Sequence, residues 1–492
     1  TATAGMNFAK AIALTGNDAV VLTTGGAAGE DIVLGTNNTT DITGSGQALT
    51  LNAGAAGDIT IEGDMGADGA ALGAITITNA DQVLFDETVT AASFTQSLAN
   101  TTTGLTTFDG KVDLSGAFNF TGRALTMNAA GNTIGGTMDV TNSGLFTTAD
   151  VADLTVTGQF TQDGTSTSSI GADITATAGM DFAKAILLTG TDLITFATGG
   201  AAGEDIVLGT DNTTDITGTG RALTLNAGAA GDITIEGDMG ADGAALGAIT
   251  ITNADQVLFD ETVTAASFTQ GAGAATGLTT FDGTVDLSGN FDFTGQALTL
   301  NALLDSDGTV EVTNAGTFTT AAAGDIIADL GFTQNGAGAS SLAGDITTTN
   351  TNIGFATGVT LTGPVAMTTD TGAGNISFTQ TVDATTAGTE TLELIAGTGD
   401  ITFTGLAGHT ARLGAVTINS VKDLTITAGM KAASFMQGLN ANNSPRGTGV
   451  FTLDGDLDTD TGGITISSAT VDLNANVTTT AGYDTVNSTD QG

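Results

Sequence analysis

The sequence predicts an all-β fold, a parallel β-helix (β-solenoid) built from tandem repeats. Three observations carry that prediction. A block of more than 70 residues recurs almost unchanged, the apolar residues alternate with period two in short runs, and no stretch has a sustained helical pattern. Gly25 to Gln96 returns as Gly199 to Gln270, 174 residues later, with three changes: Asn37 to Asp211, Ser45 to Thr219 and Gln47 to Arg221. Copying on this scale marks a module of an array.

Inside the block, Leu49 and Leu51 flank Thr50, Ile59 and Ile61 flank Thr60, and Ile75 and Ile77 flank Thr76. Such alternation places the apolar members on one side of a strand and Thr on the other. Gly, Asn and Asp separate the runs, and these residues turn a chain at little steric cost. Ala9 to Leu14 comes nearest to a helix, and Gly16 stops it within two turns.

The register predicts Ile59, Ile61, Ile75, Ile77, Phe85, Phe94, Phe108, Phe118 and Phe120 inward. It predicts the same of their copies Ile233, Ile235, Ile249, Ile251, Phe259, Phe268, Phe281, Phe291 and Phe293, with Thr60, Thr76 and Asn119 outward. Each coil's apolar stripe is too small to bury alone, and stacking coils closes a continuous core. A string of Ig-like sandwiches fits less well, because Trp and Cys are absent and Pro occurs only twice.

Phase markers divide the chain. TATAGMNFAKAIA at Thr1 recurs as TATAGMDFAKAIL at Thr175, more weakly at Thr347, and as TTTAGYD at Thr478. The repeat units are therefore 1–174, 175–346, a shorter and diverged 347–477, and the start of another over 478–492, all read as one continuous solenoid. Phe-Thr-Gln recurs at Phe94, Phe160, Phe268, Phe332 and Phe378. The residues from Asn440 to Arg446, with Pro445, read as a loop. Strands starting every 6 to 10 residues imply coils of about 20 residues, about 25 coils and about 120 Å of stacked length. Thr1 falls in mid-pattern and Thr478 opens a new unit, so the expectation is a segment of a longer chain or of a filament.

The chain has 492 residues, 53 acidic and 9 basic, for a formal charge of −44. That charge repels nucleic acid and anionic lipid and attracts cations. No run of 18 apolar residues exists, so no helix is expected to span a membrane directly. Without Cys, neither disulfides nor thiol chemistry contributes.

No catalytic residue is assigned. His409 is the only His, and Gln47 and Arg221 occupy equivalent places with different chemistry. No nucleophile–base pair is apparent, so the chain is expected not to be an enzyme. No cofactor motif occurs. Calcium is the ion whose chemistry suits Asp454, Asp456, Asp458 and Asp460, whose alternation on a strand would put four carboxylates on one face. Asp305, Asp307, Gly308 and Glu311 form a second acidic turn. Neither set matches an EF-hand or a GGxGxDxUx repeat, and no metal ligand is assigned. Thr76 with Thr78 and Thr88 with Thr90 have the spacing of an ice-binding ladder but do not recur in every coil. Asn38-Thr-Thr and Asn212-Thr-Thr would accept glycans in a suitable host.

Four phrases resemble those of very large bacterial surface proteins. They are Gly-Asp-Ile-Thr-Phe-Thr-Gly from Gly399, Leu-Gly-Ala-Val-Thr-Ile from Leu413, Thr-Val-Thr-Ala-Ala-Ser-Phe-Thr-Gln from Thr88, and Leu-Thr-Thr-Phe-Asp-Gly-Thr-Val-Asp-Leu from Leu278. The chain resembles the filamentous-haemagglutinin-like and autotransporter-like β-strand-repeat adhesins over essentially its whole length. The resemblance implies a secreted or cell-surface β-helical stalk. Its expected role is that of an extracellular, non-catalytic structural or adhesive fibre that self-associates or binds cell-surface or polysaccharide ligands. The alternative is a secreted β-helical protein that binds or cleaves carbohydrate, for which a cleft with two or three carboxylates about 5–9 Å apart would speak.

Overall fold

In the computed structural model, residues 1–67, 70–97, 104–241, 243–271, 277–438, 446–480 and 484–488 are described. They form parallel strands without any helix, coiled into a β-solenoid of about 21 turns. The loop expected at 440–446 lies, but for Arg446, outside them. The chain divides into two compact units, Thr1–Asp255 and Gln256–Gly492.

Each unit is three-sided. In Thr1–Asp255, face A stacks Met6, Ile32, Ile59, Val83, Thr106, Leu125, Phe146, Ser168, Ile186 and Ile216. Face B stacks Ile12, Ile42, Met65, Val89 and Val112, and continues through Asn132 and Leu154 to Ile174. Face C stacks Val20, Leu49, Ile75, Phe94, Phe118, Met138, Phe160, Met180, Ile206 and Ile233.

Most strands have three residues, enough for two inward side chains around one outward, which is why the period-two runs are so short. All the Ile and Phe residues assigned inward are buried, including Phe118 and Phe120, while Asn119 between them is half-exposed. Like packs on like along the axis. Phe94 stacks on Phe118 at 5.0 Å, and Phe259 on Phe281 at 4.6 Å.

Turns are longer than the expected 20 residues, so fewer fit. Phe118 meets Met138 after twenty residues, but Ile32 meets Ile59 only after 27, because the corner Gly35–Asp41 intervenes. There Gly35 has φ 92°, and Thr40 Oγ1 accepts the Thr36 N–H at 2.9 Å and donates to the Asn37 carbonyl at 2.6 Å.

The near-identical copies do not lie above one another. Ile59 sits on face A, whereas its copy Ile233 sits on face C. From Met6 to its copy Met180 the chain passes twenty-three sides, a third of a turn short of eight turns. In Gln256–Gly492 the faces are D (Val257, Thr279, Leu298, Phe318, Ser340, Val359), E (Val285, Leu304, Ile326, Ile346) and F (Phe268, Phe291, Val310, Phe332, Ile353). Phe268 lies on face F and its third-copy equivalent Phe435 on face E, again twenty-three sides on, although only 167 residues separate them.

Candidate functional site

The acidic residues are mostly corner residues. An Asp or Asn directly before a strand cannot offer its side chain to the core, and it turns that side chain along the axis instead. Asp31 Oδ1 accepts the Asp58 N–H at 2.9 Å, and Asp58 Oδ1 accepts the Gln82 N–H at 3.1 Å. In the second unit the tie runs from Asn375 to Asp400 at 2.8 Å, from Asp400 to Asp423 at 3.3 Å and from Asp423 to Val450 at 2.7 Å. Each carboxylate thus satisfies a backbone donor of the next turn, at the corner where the sheet pairing breaks.

Stacking like charges has an electrostatic cost. Burial pushes the Asp58 carboxyl above the ordinary range, and Asp31 and Asp81 add to it against the Gln82 hydrogen bond. Asp305 is raised by burial and then by Asp286, Asp307 and Asp329. Asp113 is lowered, chiefly by the Thr133 hydroxyl and then by Lys111 at 3.2 Å.

The four carboxylates Asp454 to Asp460 do not share a strand face, contrary to the sequence expectation. Only Asp458 lies in a strand, Leu457–Thr459. Asp456 is a corner residue whose Oδ1 accepts the Asn476 N–H at 3.0 Å, and Asp454 Oδ1 accepts from Asn474 Nδ2 at 2.9 Å. Asp458 and Asp460 are held by Arg412, through Nη2 to Asp458 Oδ2 at 2.7 Å and Nε to Asp460 Oδ2 at 3.2 Å. Arg412 Nη1 also donates to the Asp458 carbonyl at 2.8 Å and the Ala432 carbonyl at 3.0 Å. A guanidinium from 46 residues earlier therefore occupies the place at which a cation was expected. In the other copies Ala71 and Ala245 stand at the position of Arg412. Among the described residues, no three His, Asp or Glu are grouped so as to hold a metal ion.

Among the described residues of the second unit, two grooves stand out. One, of about 500 Å³, brings His409 and Lys431 beside Met430, Asp456 and Asp458. Lys431 replaces Thr90 and Thr264 of the other copies, so the only His and two basic residues gather at one corner of the third copy. The other, of about 490 Å³, is lined by Thr309, Glu311, Leu330, Thr333, Asn350 and Asn352. Leu330 is 61% exposed, and Asn350 has a left-handed φ of 57°. Glu311 Oε1 accepts from Asn335 Nδ2 at 2.6 Å, and Asp292 beside it is raised by burial and by Glu311.

The Phe-Thr-Gln phrase proves to be a core device. Gln96, Gln162, Gln270 and Gln334 point inward with their Phe and are buried, as is Gln437 of the variant phrase Phe435-Met436-Gln437. Each amide finds a polar partner at the strand's end: Gln162 Nε2 donates to Asn142 Oδ1 at 2.7 Å, Gln334 Nε2 to Asn314 Oδ1 at 2.7 Å, and Gln437 Nε2 to Ser468 Oγ at 3.0 Å. Gln334 Nε2 also reaches the Gly338 carbonyl at 3.1 Å, which pins the turn that follows. At Phe378 the phrase is out of phase. Phe378 ends its strand and Gln380 is exposed.

No family model matches the chain, and no curated protein or solved structure matches it either.

Proposed function

We infer that this β-solenoid is a non-catalytic structural or adhesive fibre protein, secreted or at a cell surface, which spaces and presents surfaces. The observation that supports this best is the use made of the carboxylates. Asp31, Asp58, Asp400 and Asp423 accept backbone N–H groups of the neighbouring turn, so they serve the stack and are not poised over a substrate. The test is incubation with plant, algal and bacterial polysaccharides, read as reducing-end release or unsaturated product. Turnover that is lost in Glu311→Gln or Lys431→Ala would overturn the reading.

A second reading, carbohydrate binding, is favoured by one place. The groove at Leu330 sets an exposed apolar side chain among the amides of Asn350 and Asn352 and the carboxylate of Glu311. Its test is calorimetric titration with neutral oligosaccharides against Leu330→Gly.

A further inference from the structure

The groove at Leu330 lies where three successive turns enter face F, at Val310, Phe332 and Ile353. The equivalent turns of the first copy enter at Met138, Phe160 and Met180. Along these strands the first copy has Asp139, Asp163 and Asp181, and the second has Glu311, Asn335 and Gly354. One carboxylate of three is kept, and Asn335 Nδ2 orients it by donating to Glu311 Oε1 at 2.6 Å. The wall changes too. Leu330 stands where the first copy has Gly158. The corner before Ile353 is four residues long, Thr349 to Asn352, against the three before Met180. Asn350 and Asn352 of that corner are exposed and line the groove with Leu330 and Thr333.

The kept carboxylate has no cation of its own. From Gln256 to Ala411 the unit has 16 Asp or Glu and no Lys or Arg, so that stretch supplies Glu311 with neither an ammonium nor a guanidinium. Asp292 sits in register beside Glu311 on the preceding turn, and its carboxyl is raised by burial and then by Glu311.

We propose that this groove binds an amino sugar, a glucosamine unit whose protonated amine pairs with Glu311 while its ring lies against Leu330. The C–H face of a sugar ring suits an exposed Leu side chain, and its hydroxyls suit the Thr333 hydroxyl and the amides of Asn350 and Asn352. A neutral sugar would leave the repulsion between Asp292 and Glu311 unrelieved, and an anionic one would be repelled by both. A protonated amine relieves that repulsion and makes a charge-assisted hydrogen bond. The groove's volume of about 490 Å³ falls among those of small-ligand sites, about 300–1,000 Å³. The proposal rests on the carbohydrate-binding reading of this groove and names the class of sugar.

The experiment is calorimetric titration of the whole chain at pH 6 in 0.15 M NaCl, with the tetramer of glucosamine and with the tetramer of N-acetylglucosamine, whose nitrogen carries no charge. The glucosamine tetramer is expected to bind one per chain and at least about tenfold more tightly than its acetylated counterpart. Glu311→Gln is expected to abolish that preference. Leu330→Gly, which restores the first copy's residue, is expected to weaken both tetramers. Circular dichroism verifies that each variant keeps its strand content. Glucosamine binding unchanged by Glu311→Gln would be diffuse attraction to the 53 acidic residues and overturns the proposal. Equal affinity for the two tetramers, lost in Leu330→Gly, overturns the amine pairing and leaves the carbohydrate reading standing. Spermidine binding as tightly as the glucosamine tetramer, with the same dependence on Glu311, overturns the assignment to a sugar. Binding of neither tetramer overturns this proposal and the carbohydrate reading together.

Discussion

The ring of Phe85 lies flat on that of Phe108 one turn away, with centroids 4.6 Å apart and planes 1° from parallel. Phe94 closes the group edge-on to both, at 5.8 Å and 5.3 Å. Three rings from two faces thus lock adjacent turns. Phe108→Ala should cost about 3–5 kcal/mol locally, because no neighbour can collapse into the gap of a stacked ladder. Thr107→Ala, on the outward side, should cost under about 0.5 kcal/mol. Native-state hydrogen exchange checks this best, since a repeat array need not unfold in one step. Equal protection in both variants would refute the register.

Asp58→Ala should release the Gln82 amide, which donates to Asp58 Oδ1 at 3.1 Å. Loss of one such tie should cost about 1–2 kcal/mol. Asp58→Asn keeps the acceptor without the charge and should preserve the tie. Exchange at the Gln82 amide reads the difference, and equal acceleration in both variants would show that charge, not acceptance, is what matters.

Asp58, Asp181, Asp292 and Asp305 all have raised carboxyls, with burial the first cause in each. A raised folded-state pKa means the folded form holds the proton more tightly. The contribution of these groups is therefore most favourable below the ordinary carboxylate value and is lost as pH rises through the raised one. Asp305→Asn should raise thermal stability at pH 7 and lose that advantage as pH falls through the carboxylate range toward pH 3. Melting curves between pH 3 and 7 check it. An advantage independent of pH would mean that packing, not charge, explains the gain.

Arg412→Ala should leave Asp458 and Asp460 facing each other without a cation and cost about 1–3 kcal/mol. Millimolar calcium should then recover part of the loss beyond what matched ionic strength recovers, while the wild type responds to screening alone. Differential scanning calorimetry with calcium and with NaCl of equal ionic strength separates the two. A wild-type response to calcium beyond screening would show that Arg412 does not occupy the only cation position at this corner.

Much of the fold was legible because a three-residue strand leaves no freedom. With Ile, Thr and Ile in a row, the two Ile residues go in. The copy-to-copy identity marked the array, and the buried Phe residues followed from the register. The rest depended on the third dimension. Asp454 to Asp460 alternate in the sequence, but the strand they were assigned to covers only Leu457–Thr459, because a corner interrupts it. Arg412 is distant in sequence and meets Asp458 only through coiling. Phe378-Thr-Gln reads like the other four phrases, yet the strand ends at its Phe, which sends Gln380 outward. The coil length was underestimated because corners such as Gly35–Asp41 add residues without adding a side.

The count of twenty-three sides has a consequence for how such a chain can change over generations. Unequal recombination between near-identical DNA copies adds or removes one repeat at a time. Twenty-three is not a multiple of three, so every such event rotates all that follows by one third of a turn. The event is harmless only if any strand can be accepted on any face, and Ile59 on face A with Ile233 on face C shows that these strands are accepted so. The shorter third copy keeps the count while losing residues from its corners, so loops shrink or grow without changing the number of sides. Length is therefore freely adjustable in whole repeats, and each adjustment turns the downstream surface to a new direction.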